Sequence, residues 1–186
     1  MNIYSIVLFL HIVGALGVFV ALGLEWTGLR QLRGAILPEQ VRAWTGILKS
    51  TNKVGFPSML TTVITGIYMV LNGLGWVSWI LVVLGALVLI IVLSVALTKP
   101  RMAAIEQALA TEKGSVSQTF HNLVNHPVLW ISIQTRVAIA LGIIFLKIAK
   151  PDFVGSLLTI GVAIVLGIAS ALPMSRPAPA HEAPTN

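Results

Sequence analysis

Apolar residues in this chain fall into five runs separated by short polar intervals: 3–24, 54–74, 77–97, 127–146 and 153–172. A helix crosses the hydrocarbon of a bilayer with about 20 mostly apolar residues, so each run is long enough. The first, Ile3 to Leu24, has no Lys or Arg before it and lacks the positive start of a secretory signal. It reads as a retained helix. In the second, Ser58, Thr62, Thr65, Met69 and Asn72 share a face at helical spacing, with Thr61 beside them. A polar stripe of this kind belongs inside a bundle. The third run holds little besides Leu, Val, Ile and Ala and predicts a lipid-facing helix. The fourth carries Arg136 near its middle. In the fifth, Ala163, Gly167 and Ala171 recur every fourth residue, a small-residue face that lets helices approach closely.

The polar intervals have patterns of their own. In 25–53, Pro38-Glu39 predicts a helix start, and Val41, Trp44 and Leu48 fall on one face. This predicts a short amphipathic helix on the membrane surface, with Trp44 at headgroup level. In 99–126 a second amphipathic helix is predicted from Arg101 to Lys113, with Met102, Ile105 and Leu109 on one side and Gly114 as its stop. Gly73, Gly75, Trp76 and Trp79 mark a tight interfacial turn. The expected architecture is an all-α polytopic bundle of five spans forming one domain over 1–172, with two amphipathic cytosolic loops. The Pro- and Ala-rich tail, 173–186, is expected to be disordered.

Composition agrees with the pattern. The chain is 56% hydrophobic and 10% charged, against about 45–50% and 25% in soluble domains, and five spans leave no room for a soluble domain. With no cysteine, disulfides, thiolate metal sites and Cys-ligated iron–sulfur clusters are excluded. The net charge of +6 reads as topology and contact with anionic lipid, not as a nucleic-acid surface. Arg30, Arg33, Arg42, Lys49, Lys53, Lys99, Arg101, Lys113 and Arg176 lie in the two long intervals and the tail; Lys147 and Lys150 lie on the other side. The positive-inside rule then places the N-terminus out and the C-terminus in. A weak duplication at an offset of about 70 residues pairs Gly14-Ala15-Leu16 with Gly85-Ala86-Leu87, Pro57 with Pro127, and Thr65-Gly66-Ile67 with Thr135-Arg136-Val137. Under that pairing Gly66 leaves room where span four places its guanidinium.

Candidate chemistry centres on two residues. A cation at mid-membrane costs roughly 2.5–3.5 kcal/mol and faces a protein interior or a water-filled cavity. No Asp or Glu lies within the five runs, so Arg136 is expected to be satisfied by something other than a carboxylate. One reading makes it a structural hub for Thr61, Thr65, Gln134 and backbone carbonyls. Another makes it a counter-ion for a haem propionate, a quinone or lipid headgroup, or a transported anion. His11 shares a helix face with Gly14, Val18, Ala21 and Glu25. It lies roughly 19 Å, and Arg136 roughly 14 Å, from the inner boundary by helical rise, so the two are expected in one site. His11 either bonds a Thr of span two as interhelical glue or, with Met69, ligates a haem iron or copper. His121 and His126, at the inner boundary, are excluded as its axial partners. Glu25 is expected to be interfacial and solvated, or, turned inward below His11, to extend a proton or cation path; His121, His126 and His181 are expected to face water.

The stretch Leu8-Phe-Leu-His11-Ile-Val-Gly14-Ala15, the basic interval after it and the late Gln134-Thr-Arg136 resemble an uncharacterised family of predicted bacterial integral membrane proteins. That family is similar to the copper-resistance D (CopD-like) membrane proteins, which also place a His in an early helix. The resemblance implies a bacterial cytoplasmic membrane and a role in copper handling, with His11 alone carried over. The chain departs from the copper pattern in having few Met and no Trp-Gly-Gly after the His. Phosphate-binding loops, nucleophile elbows and paired-His zinc motifs are missing. The expectation is a non-enzymatic multi-pass membrane protein whose mid-bilayer site, His11, Arg136, Thr61, Thr65 and Gln134, binds a small ligand, metal or redox cofactor. The alternatives are an accessory or assembly subunit with a structural polar centre, and a small transporter or channel. The lipid bilayer is the expected partner, along with another membrane protein or a second copy of the chain.

Overall fold

The computed structural model describes residues 2–111 and 117–175. These are helical, with no strand among the described residues. Seven α-helices follow in order: α1 Ile3–Arg33, α2 Pro38–Met69, α3 Ser78–Leu93, α4 Lys99–Thr111, α5 Gln118–Val124, α6 Pro127–Ala149 and α7 Phe153–Ala171. Five helical stretches are long and apolar enough to cross a membrane: Ile3–Arg33, Pro38–Leu74, Ser78–Ala110, Gln118–Ala149 and Phe153–Ala171. The architecture is compatible with a multi-pass membrane protein.

Local chemistry sets the ends. The Asn2 side chain accepts the Tyr4 amide at 3.2 Å and starts α1. Pro38 occupies the first turn of α2, where its missing N–H costs nothing, and the Gln40 side chain accepts the amides of Ile36 and Leu37. After Met69 the helix widens into a π-turn, Val70–Leu74, and stops. Gly75 then sits at φ +70°, a backbone region open to glycine, and its N–H donates to the Val70 carbonyl. The expected turn before Trp76 and Trp79 is therefore present. A second π-turn, Ser94–Thr98, joins α3 to α4. Pro100 accounts for it: a proline ring strikes the carbonyl four residues earlier, here Ala96, and the turn opens to avoid the clash. His126 and Asp152 cap α6 and α7 by accepting the amides of Val128 and Gly155.

The helices of the polar intervals differ from expectation. Span one does not end at Leu24; α1 runs on to Arg33 and carries Glu25 inside the helix. The helix that Pro38 starts is not a separate surface element but the first part of α2. The apolar faces of both intervals pack together at the basic end of the bundle. Leu29 and Leu32 of α1, Val41 and Leu48 of α2, Ile105 of α4 and Phe120 of α5 join one buried cluster with Trp130. Trp44 packs against this cluster, not at an isolated headgroup level. Burying an apolar face on other protein faces satisfies it as well as a lipid surface does, and α1 and α2 extend far enough to provide them. Gly28 lets the two helices approach closely at this end, since a Cβ there would stand 2.7 Å from Leu48 Cδ2.

Nor is α3 purely lipid-facing. Val82, Ala86 and Ile90 are buried in a second cluster that includes Ile139 and Leu146 of α6 and Ile160 of α7, while Leu81, Val88 and Val92 are exposed. The small-residue face of α7 meets α6 as expected. Ala163, Gly167 and Ala171 are buried, and a Cβ on Gly167 would stand 2.5 Å from Thr135 Cα. The tail begins with a turn of 3-10 helix, Pro173–Ser175, which Arg33 ties down by donating to the Met174 carbonyl at 2.7 Å. The rest of the expected disordered segment, 176–186, lies outside the described residues, as do Lys113, Gly114 and His181.

Candidate functional site

Helical periodicity places His11 and Glu25 on one face of α1, 14 residues apart. It likewise places Arg136 and Lys147 on one face of α6, 11 residues apart. α1 and α6 run antiparallel across the bundle, so these four residues pair crosswise at two depths.

The first pair is Arg136 with Glu25. Nη1 donates to Oε2 at 3.0 Å and Nη2 to Oε1 at 2.5 Å, a two-pronged fork on the carboxylate. Nη2 also reaches Thr98 Oγ1 at 3.2 Å, and Thr98 in turn meets Ser132 Oγ at 2.9 Å. Arg136 is 3% exposed. The expectation that no carboxylate satisfies it is thus overturned. Glu25 lies one residue beyond the apolar run, but α1 continues through it and turns it to the interior. Thr98 comes from α3 through the π-turn, so spans one, three and four enclose this site, and no described residue of span two bonds Arg136. Arg136 Nε and Thr135 Oγ1 are buried without a hydrogen-bond partner among the described residues.

The second pair is His11 with Lys147. His11 Nδ1 lies 3.0 Å from the Thr62 carbonyl and 3.1 Å from Thr65 Oγ1. A carbonyl only accepts, so Nδ1 carries the proton and donates. Thr65 spends its own hydroxyl proton on the Thr61 carbonyl and accepts from His11. That tautomer leaves the Nε2 lone pair free to accept from Lys147 Nζ at 2.7 Å. The ring fits because α2 has Gly66 there; a Cβ would stand 3.2 Å from His11 Cε1. Gly66 therefore makes room for the imidazole, not for the guanidinium.

His11 and Arg136 are accordingly not one site. Fourteen residues of α1 separate His11 from the partner of Arg136, about 21 Å along the helix. Between the two pairs lies apolar packing that includes Leu22, Val82, Ile139 and Leu146. Of the other expected site residues, Thr65 bonds His11, Thr61 contributes a carbonyl to Thr65, and Gln134 donates to Met174 Sδ at 3.6 Å. None of these three bonds Arg136. Thr62, Thr98, Ser132 and Lys147 are not among the site residues expected from sequence. The 11-residue spacing of the two cations on α6, matched to the 14-residue spacing on α1, was the signal that identifies Lys147. Nothing local marks Thr98, whose direction depends on the π-turn.

A cavity of about 80 Å³ opens beside His11. Gly66 and Met69 of α2, Trp76, Trp79, Val83 and Leu87 on the α3 side, and Lys147 of α6 line it. Apart from His11, Lys147 and Thr62, its wall is apolar. Met69 and His11 do share this cavity, as a metal or haem pair requires. The donor set nevertheless does not fit haem iron or copper. Both His11 nitrogens are engaged, one of them by a lysine ammonium, and a cation there repels a metal ion. No group of three or more His, Cys, Asp or Glu gathers among the described residues. Set against protein-family models, curated proteins and solved structures, the chain matches none of them.

Proposed function

We propose that the chain is a non-enzymatic multi-pass membrane protein that holds a small ligand in the His11–Lys147 cavity. In this reading its basic end faces the cytosol, so the N-terminus is outside, the C-terminus is inside and the cavity opens near the outer face. The observation that carries the reading is the cavity wall. It is apolar on most sides and polar at one end, where an imidazole and an ammonium converge, and pockets for small molecules have this character. The Glu25–Arg136–Thr98 cluster serves as a structural tie between α1, α3 and α6, since its charges neutralise each other.

A second reading, an accessory membrane subunit with a structural polar centre, is supported by the same closed pairing. The transporter reading gains no support from the apolar packing between the two pairs. One experiment separates the first two: mass spectrometry of small molecules that co-purify with the full chain in mild detergent, against Leu87→Trp, which fills the cavity. A molecule retained by the native chain and lost from the folded variant supports the ligand reading. Identical extracts from both favour the structural subunit.

A further inference from the structure

Lys147 has a charge imbalance that narrows the class of ligand. Its ammonium carries three N–H donors, and one of them goes to His11 Nε2. Among the described residues no carboxylate forms an ion pair with it: Glu25 is taken by Arg136 and Glu106 by Lys49. Asp152, the acid next in sequence, accepts the Gly155 amide instead. The His11 lone pair is already used, so the polar end of the cavity offers donors and positive charge, and a ligand head must be an acceptor.

Depth and size narrow the class further. Lys147 Nζ meets His11, which lies eight residues into α1, about 12 Å from the start of the helix. A head that reaches this level leaves much of its water behind. A carboxylic acid can shed its charge in transit and regain it on the lysine; a phosphodiester cannot at neutral pH. The cavity, about 80 Å³, is small: a head group and the first part of one chain fill it, and two acyl chains do not fit. Resting on the ligand reading above, we propose that the cavity takes a single-chain carboxylic acid. Its carboxylate sits on Lys147 and its chain lies against Met69, Val83 and Leu87.

The test uses the full chain in zwitterionic detergent micelles. Trp76 and Trp79 line the cavity, so their fluorescence reports a chain carrying bromine, a contact quencher. The probes are ω-brominated dodecanoate, the matching brominated dodecanol and a brominated lysophosphatidic acid. The expected result is saturable quenching by the acid, with the alcohol about tenfold weaker, the scale of one charge-assisted hydrogen bond. The preference should vanish in Lys147→Met, and both probes should lose saturable quenching in Leu87→Trp. Equal affinity for acid and alcohol, with Leu87→Trp still blocking both, overturns the carboxylate while leaving the ligand reading in place. Tighter binding of the lysophosphatidic acid overturns the choice of carboxylate over phosphate. Absence of saturable quenching by any probe overturns both this inference and the reading beneath it.

Discussion

Gly66 of α2 and His11 of α1 touch so closely that the imidazole occupies the space of a missing side chain. A Cβ on Gly66 would lie 3.2 Å from Cε1 and 3.6 Å from Nδ1. The ring has no slack to retreat, because Thr62 and Thr65 hold one nitrogen and Lys147 the other. Gly66→Ala should therefore destabilise the protein by about 1 kcal/mol or more, the lower range for overpacking, despite alanine's better helix propensity. Gly161→Ala on α7, where a Cβ meets nothing within 4 Å, should be neutral or stabilise by up to about 1 kcal/mol. Reversible unfolding in mixed micelles measures both, and equal effects at the two glycines would contradict the contact.

The Arg136–Glu25 fork predicts strong non-additivity. Glu25→Leu alone strands the buried Arg136 charge and should cost about 3–5 kcal/mol; Arg136→Leu leaves the partly exposed Glu25 unpaired and should cost less. The double variant removes both charges and should recover most of that loss. A double-mutant cycle on unfolding free energies checks this. Additive losses would mean that the two side chains act independently.

Gly167 is the tightest helix contact on α7. Any side chain there meets backbone, Thr135 Cα at 2.5 Å and Thr135 N at 3.0 Å, and backbone cannot rotate aside. Gly167→Leu should separate α7 from α6 and abolish folded protein, whereas Val165→Leu on the exposed face of the same helix should be tolerated. Yield of monodisperse protein in size-exclusion chromatography distinguishes them.

Topology is testable because the chain has no cysteine. A single Cys at Asp152 should react with a membrane-impermeant maleimide in intact cells. One at Ile36, exposed between α1 and α2, should react only after permeabilisation. The reverse pattern would invert the orientation and put the His11 cavity on the cytosolic side.

Much of the fold was legible because membrane helices announce themselves by length and apolarity. The five helical stretches, the polar stripe of α2 and the small-residue face of α7 follow from periodicity along single segments, and the turn at Gly75 from its own residues. Span ends were less legible. Composition breaks at Leu24 and Lys53, yet the backbone hydrogen-bonding pattern does not, so α1 and α2 run on through the basic interval. That continuation carries Glu25 inward and converts an unpaired cation into a neutral pair. Each polar interval reads as a surface helix because a sequence shows one apolar face at a time; the buried cluster exists only where the faces meet.

By itself, the sequence determined that the chain is helical, how many helices are long and apolar enough to cross a membrane, and which face of each carries its polar residues. These follow from one helix at a time. Only the tertiary structure decided that Arg136 meets Glu25 and that His11 meets Lys147. Pairing depends on how far α1 and α6 slide past each other, and each of them is packed closely on a further helix, α1 on α2 at Gly14, Gly28 and Gly66 and α6 on α7 at Gly167. A π-turn then rotates Thr98 into a cluster that no linear pattern places it in.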